Sequence, residues 1–315
     1  IFVWISAAFG VAGFFGGFSF AADTVSHFRP QYAAVAVFAL VVLRRKDYRW
    51  TVRLALFSLI ANAACIAPWY LPQRTGPDSR TTPAVRIVVQ NVLTANRKEE
   101  RLLAWVRAEN PDIVVLLEVN EWWVRAVSSL RLLYPYSLTR PRDDNFGIAV
   151  YSRLPMENLR ISHPGPADVP SITGHVTLPD GRQAAFIATH PVPPGSPEGW
   201  RLRNEQLDAI RHLLAASDGP AILAGDLNTT VFSPVYQRFA RKTGLLNARA
   251  GRGLLLTWLR DLPQVTMGLD HIMARGLAFS ACRVGPDIGS DHRGLVAELY
   301  PPSAAKKTRH TGAKQ

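Results

Sequence analysis

AILAGDLN, residues 221–228, begins as an unbroken apolar run and ends in a polar turn that carries Asp226 and Asn228 just after Gly225. A short apolar run closed by a turn signal reads as a strand buried on both faces. The same pattern recurs on either side of it. AVRIVVQN (84–91) ends on Asn91, DIVVLLEV (112–119) carries Glu118 near its end, and QAAFIATH (183–190) ends on His190. LDHIMA (269–274) starts beside Asp270, and Asp291-His292 open HRGLVAELY (292–300). GIAVYS (147–152) is a further strand, and SITGHVTL (171–178) faces QAAFIATH across Pro179-Asp180-Gly181, a hairpin turn. Between the strands, residues 98–110, 121–133 and 198–216 carry helical apolar spacing. Strands, helices and a hairpin in this order imply a mixed-sheet α/β domain over 84–300, large enough for a sizeable core.

Upstream, the composition changes. Residues 1–22, 30–43 and 54–72 contain no charged side chain. A helix needs about 20 apolar residues to cross a hydrocarbon core. The first and third runs meet that length, and the second would need Arg29 and Arg44 to snorkel at its ends. Residues 1–72 are therefore expected to form three transmembrane helices, followed by a polar linker at 73–83. Arg44, Arg45, Lys46, Arg49 and Arg53 crowd the second link, whereas the first, from Asp23 to Arg29, is nearly neutral. The positive-inside rule makes the second link cytoplasmic, so three spans place the large domain on the extracytoplasmic side. With two spans it would face the cytoplasm.

The chain has 36 Lys and Arg against 24 Asp and Glu, a net charge of +12. Residues 81–300 carry only +3 of this, and the tail 301–315 is basic and expected to be disordered. The usual inference from a basic protein to a nucleic-acid partner is accordingly weak. Two cysteines, Cys65 in a span and Cys282 in the domain, exclude a disulfide framework.

A single Asp or Asn in such a turn is more often a turn former than a catalyst. Coincidence changes that, because six separate strands each meet a polar group at one end. The motifs QNV with Asn91, VVLLEVN with Glu118, GIAVYSRLP (147–155), IATH with His190, GDLN (225–228), LDHI (269–272) and SDH (290–292) resemble, in order and spacing, the endonuclease/exonuclease/phosphatase superfamily. The resemblance implies a four-layer α/β sandwich, two mixed β-sheets face to face with outer helices, and a metal-dependent phosphoesterase. It implies that Glu118, Asn91 and Asp291 hold a divalent metal, Mg²⁺ or Mn²⁺, for which hard oxygen ligands are suited. Asp226 would activate water, Asn228 would hold phosphate and water, and His190 and His292 would donate to the phosphoryl oxygens. Asp270 would pair with His292. Asn145 and Arg203 are weaker substrate-binding candidates. Many members carry an acid where Leu93 stands, so one carboxylate of the metal shell is missing. His163, His175 and His212 have no assigned role, Trp122 and Trp123 are expected to pack, and His271 should point away from Asp270.

The arrangement is similar to membrane-anchored members linked to vancomycin and teicoplanin resistance. The expected substrate is thus a membrane-associated, lipid-linked phosphate. A DNase I-type nuclease and a catalytically weak, membrane-tethered binding module are the alternatives.

Overall fold

Successive side chains of a strand point to opposite faces, so an all-apolar strand must be covered on both sides. That requirement organises the large domain. A computed structural model describes residues 1–43, 48–72, 85–259, 262 and 265–300. The expected linker 73–83 and tail 301–315 lie outside the described residues, as does most of the basic link.

Four helices come first: α1 (Phe2–Ala12), α2 (Phe20–Ser26), α3 (Arg29–Val42) and α4 (Arg49–Ile66). The domain then runs β1 (Val85–Asn91), α5 (Glu99–Glu109), β2 (Ile113–Leu117), α6 (Glu121–Ala126), β3 (Tyr136–Arg140), β4 (Ile148–Ser152), β5 (Met156–Ser162), β6 (Ser171–Thr177) and β7 (Gln183–Thr189). It ends with α7 (Pro197–Ala215), β8 (Ala221–Asp226), α8 (Pro234–Thr243), β9 (Leu246–Asn247), β10 (Asp270–Arg275), β11 (Ala278–Val284) and β12 (Leu295–Tyr300).

The strands form two six-stranded sheets, ordered β11-β12-β1-β2-β4-β3 and β5-β6-β7-β8-β10-β9. Each sheet is mixed, with β1 parallel to β2 and β7 parallel to β8 among antiparallel neighbours. Alternation sorts the core. Ile87, Val89, Val115, Phe186, Ile222, Ala224 and Ile272 meet between the sheets. Val88, Val114 and Leu116 face outward onto Leu102, Trp105 and Val106 of α5 and Trp123 of α6. Leu223 and Met273 face outward onto Ile210 and Leu214 of α7 and Phe239 of α8. The result is the expected four-layer sandwich, and Trp123 packs as expected.

Four strands were not evident in the sequence. β3, β9 and β11 lack a continuous apolar run, and the edge strand β5 leaves Glu157 and Asn158 exposed. Residues 121–133 form α6 and a 3₁₀ turn at Ser128–Leu132 instead of one helix. Helix α8 had local signals. Ser233 Oγ accepts from the backbone N–H of Val235 and Tyr236, Pro234 is the first helical residue, and Gly244 closes the helix at φ 68.

The first apolar run does not form the single span expected of it. Helix α1 ends at Ala12, and the chain bends by 117° before α2. A Cβ at Gly16 would come within 2.8 Å of Asp23 Cα, so glycine permits the fold-back. Helix α3 has 14 residues, short of a span. Among the described residues one helical stretch, Arg49–Trp69, is long and apolar enough to cross a membrane, and the bent α1–α2 pair is a second only if counted as one span. Arg29 does not snorkel. It is buried in the bundle, with Nη1 donating to the Gly10 carbonyl at 2.7 Å and to Asn62 Oδ1 at 3.3 Å.

Candidate active site

The expected site residues lie at one end of the sandwich because antiparallel pairing brings strand starts beside strand ends. Asp270, at the start of β10, is paired in register with Asp226 at the end of β8. Asn91, Asp226 and Asp270 follow the inward-facing residues Val89, Ala224 and Ile272 by alternation, so they face the space between the sheets. His271 has the opposite parity. It stacks on Tyr236 and takes part in hydrogen bonds with Asn247, Arg249 and the Thr229 carbonyl, away from the site as expected.

Asp226 is buried between two imidazoles, with Oδ2 3.6 Å from both His190 Nε2 and His292 Nε2. Its Oδ1 accepts the backbone N–H of Asn228 at 2.8 Å. Burial raises the Asp226 pKa, against the opposing pull of His292. On its far side His292 donates from Nδ1 to Asp270 Oδ2 at 2.9 Å. Burial disfavours a charged ring, but Asp270, Asp226 and Asp291 outweigh it and push His292 up to about 10. Burial would also raise Asp270, yet the His292 charge and hydrogen bond, with the Thr257 hydroxyl, bring it below the usual carboxylate range. Asp270 thus fixes both the tautomer and the charge of His292.

Glu118 follows β2 in a left-handed conformation (φ 59) that turns its carboxylate into the site. Asn91 Nδ2 donates to its Oε1 at 2.7 Å, while Oε2 is buried with no hydrogen-bond partner. Burial raises the Glu118 pKa, and Asp291 raises it further. A bare, buried carboxylate oxygen beside a second carboxylate is what a divalent cation would satisfy. Asn91 uses its amide to hold Glu118, and its Oδ1 accepts the Leu93 N–H at 3.1 Å. In this structure it orients the ligand more than it offers an oxygen. Asp291 accepts from Trp258 Nε1 at 3.3 Å.

A second group of possible ligand atoms, from Asp226, Asp270 and His292, lies within 4.8 Å of one another. A protonated imidazole offers no lone pair and balances one of the two carboxylates, so this group reads as a hydrogen-bonded relay, and Glu118 with Asp291 as the better cation site.

Asn228, at φ 49, donates from Nδ2 to the Pro191 carbonyl at 2.8 Å, next to His190. Gly225 between them has a strict local reason: a Cβ there would lie 1.9 Å from the Thr189 carbonyl oxygen. Of the weaker candidates, Asn145 is exposed in a left-handed turn, one residue before Phe146, whose ring lies 5.6 Å from that of His190. Arg203 is corrected. It is 0% exposed and cannot greet a substrate, because its guanidinium is committed to Asp23 and to the Asn228 carbonyl. Sequence reading missed Thr257, Trp258 and the buried Arg249, which holds the loop before them through the Leu255 carbonyl. They lie in a stretch without strand periodicity, so nothing local marked them.

Residues 88–292 match the model of the Endonuclease/Exonuclease/phosphatase family. Solved structures share the fold. The human nocturnin catalytic domain with a bound sulfate anion is 20% identical at TM-score 0.56, covering 70% of this chain and 96% of its own. An endonuclease/exonuclease/phosphatase from Beutenbergia cavernae is 22% identical at TM-score 0.54, covering 70% and 72%. The Neisseria 3′ phosphatase NExo bound to a product DNA hairpin is 17% identical at TM-score 0.56, covering 68% and 99%. No curated protein matches the chain.

Proposed function

The chain belongs to the Endonuclease/Exonuclease/phosphatase family, and from that premise we propose that it hydrolyses a phosphoester of a membrane-associated, lipid-linked substrate by in-line attack of water. Its membership makes it a phosphoester-cleaving enzyme. The observation that carries the reading of water attack is the setting of Asp226, a buried carboxylate between His190 and His292 at the end of the sandwich where Glu118 keeps a bare, buried oxygen.

Asp226 takes the proton of the attacking water, and burial suits it to that by raising its affinity for protons. Asn228 aligns water and phosphate. His292, held protonated by Asp270, donates to the phosphoryl oxygen as charge builds there, and His190 donates from the other side. Glu118 and Asp291 would hold a divalent cation, Mg²⁺ or Mn²⁺ being suited to these hard oxygens, and when bound it would neutralise phosphoryl and leaving-group charge.

Two observations support a substrate at the membrane. The bundle exposes Phe2, Phe9, Phe18, Phe38, Phe57 and Ile60, and only 17% of the long apolar window in Arg49–Trp69 is buried. The catalytic loops also touch the bundle: His27 Nδ1 lies 2.9 Å from Thr230 Oγ1, and the Gly253 N–H donates to the Trp69 carbonyl at 2.8 Å. The long apolar stretch Arg49–Trp69 leads from the basic link to the domain, so the positive-inside orientation of that one stretch puts the domain outside the cytoplasm whatever number of spans precedes it. Residues 81–300 contain two lysines and a net +3, a poor match for a duplex.

The test is turnover of a polyprenyl diphosphate, a phospholipid, bis-p-nitrophenyl phosphate and plasmid DNA by the full chain in detergent, with Mg²⁺, Mn²⁺ or EDTA. Asp226→Ala is expected to lower kcat by ~10²–10⁴-fold. Preference for DNA would replace the lipid reading with a nuclease. Metal-independent turnover, or none by a folded chain, would refute the reading.

A further inference from the structure

We propose that Asp23 of the N-terminal bundle is a positioning residue for Asn228, so that the bundle completes the active site. The inference rests on the reading of Asp226 and Asn228 as the hydrolytic pair.

Asp23 is an acidic residue at the end of an apolar run, yet it is buried, and three donors from the catalytic domain reach it. Arg203 Nη2 lies 2.5 Å and Trp200 Nε1 3.0 Å from Oδ2, and Ser233 Oγ donates to Oδ1 at 2.6 Å. Both partners of the ion pair are sealed from solvent, with side-chain exposures of 0% and 1%. Arg203 does not stop there. Its Nη1 donates to the backbone carbonyl of Asn228 at 2.9 Å, and its Nε to Asn204 Oδ1 at 2.7 Å. One helical turn after Asp23, His27 meets the Thr230 hydroxyl. Helix α2 and the residue that follows it therefore grip residues 228–233 at three places: the Asn228 carbonyl through Arg203, Thr230 and Ser233.

That segment leaves the site directly after Asp226. Asn228 sits at φ 49, a left-handed turn that Asn tolerates and that sets where its side chain and carbonyl point. Its N–H bonds Asp226 and its side chain bonds Pro191, so its carbonyl is the remaining handle, and Arg203 holds it. A guanidinium buried without a carboxylate is not tolerated in place. Without Asp23 it must recruit water or turn away, and either outcome releases the Asn228 carbonyl. A small misplacement of a group that aligns water and phosphate lowers kcat much more than affinity.

The experiment uses the full chain in detergent, with bis-p-nitrophenyl phosphate and Mn²⁺. Asp23→Asn keeps the shape and removes the charge; it is expected to lower kcat by ~10–100-fold with KM within about twofold. Asp23→Glu, which restores the charge, is expected to recover part of that loss. The double variant Asp23→Leu/Arg203→Met removes both charges. It is expected to regain the parent's melting temperature but not its kcat, because no donor then holds Asn228. Hydrogen exchange of residues 227–233 should quicken in Asp23→Asn and in the double variant. Unchanged kcat and exchange in Asp23→Asn would overturn the proposal, as would full kcat in the double variant, which would reduce the pair to a docking contact. A parent chain inactive on every substrate would instead sink the hydrolytic reading, while the exchange measurement would still decide the link from Asp23 to Asn228.

Discussion

The sandwich and the bundle are built with opposite polarity. In the sandwich, Phe186, Ile222 and Val115 fill the space between the sheets, and most charged side chains lie outside. In the bundle, Ser6, Arg29, Ser58 and Asn62 are buried around the small core of Val3, Ala36, Ala39 and Ala55, while Phe2, Phe18, Phe38 and Phe57 face out. In water the second arrangement would leave large apolar area exposed, and on the proposed membrane reading its small buried residues and outward aromatics would face lipid. The two regions meet in two ways: Cys65, Ile66 and Trp69 pack against the apolar layer under α7 and α8, while the junction at Asp23 is held by charge and hydrogen bonds.

The contrast can be broken from the sandwich side most forcefully. Phe186→Ala opens a cavity between the sheets and is expected to cost about 3–5 kcal/mol of domain stability, read by denaturant unfolding in detergent. A loss under about 1 kcal/mol would mean that the inter-sheet core is less tightly packed than described.

A smaller effect comes from a buried polar group within the sandwich. Burial, with the nearby Arg249 charge, lowers His271 to about 3, so it is neutral when folded. Its Nε2–H then donates to the Thr229 carbonyl, and Nδ1 accepts from Asn247 and Arg249. Above pH 6.5 neither the folded nor the unfolded ring is charged, and the full contribution to stability is present. As pH falls below 6.5, only the unfolded state takes up the proton, and stability declines until about pH 3. At pH 5 the loss is about 2 kcal/mol. The stability difference between the parent and His271→Gln should narrow by that amount from pH 7 to pH 5, and a constant difference would refute the assignment.

The smallest energetic change sharpens the comparison itself. In a background lacking Cys65 and Cys282, Phe57→Cys and Leu132→Cys both alter exposed positions and should each shift stability by under about 0.5 kcal/mol. In vesicles, a water-soluble maleimide is expected to label Cys at 132 and to spare Cys at 57. Equal labelling would remove the lipid-facing reading of the bundle.

The site was legible in the sequence to an unusual depth because its residues sit where local rules operate. An apolar strand that ends in Asn91, His190 or Asp226 announces a buried strand and a polar end, and alternation by two places that end between the sheets or, for His271, behind them. The edge strands β3 and β5 were hidden because one face meets solvent and needs no apolar run. Arg203 misled because its position on an amphipathic helix reads as solvated, while its role depends on a carboxylate 180 residues away in sequence.

The sequence alone therefore determined the strands of the core, the residues gathered at their ends and the apolar character of the first 72 residues, since each follows from spacing within a few residues. Only the tertiary structure decided that the first apolar run would bend, that Arg29 would turn inward, and that Asp23 would reach Arg203 behind Asn228. Those outcomes depend on which surfaces meet, and a buried charge finds its partner by proximity in space, which no local pattern encodes.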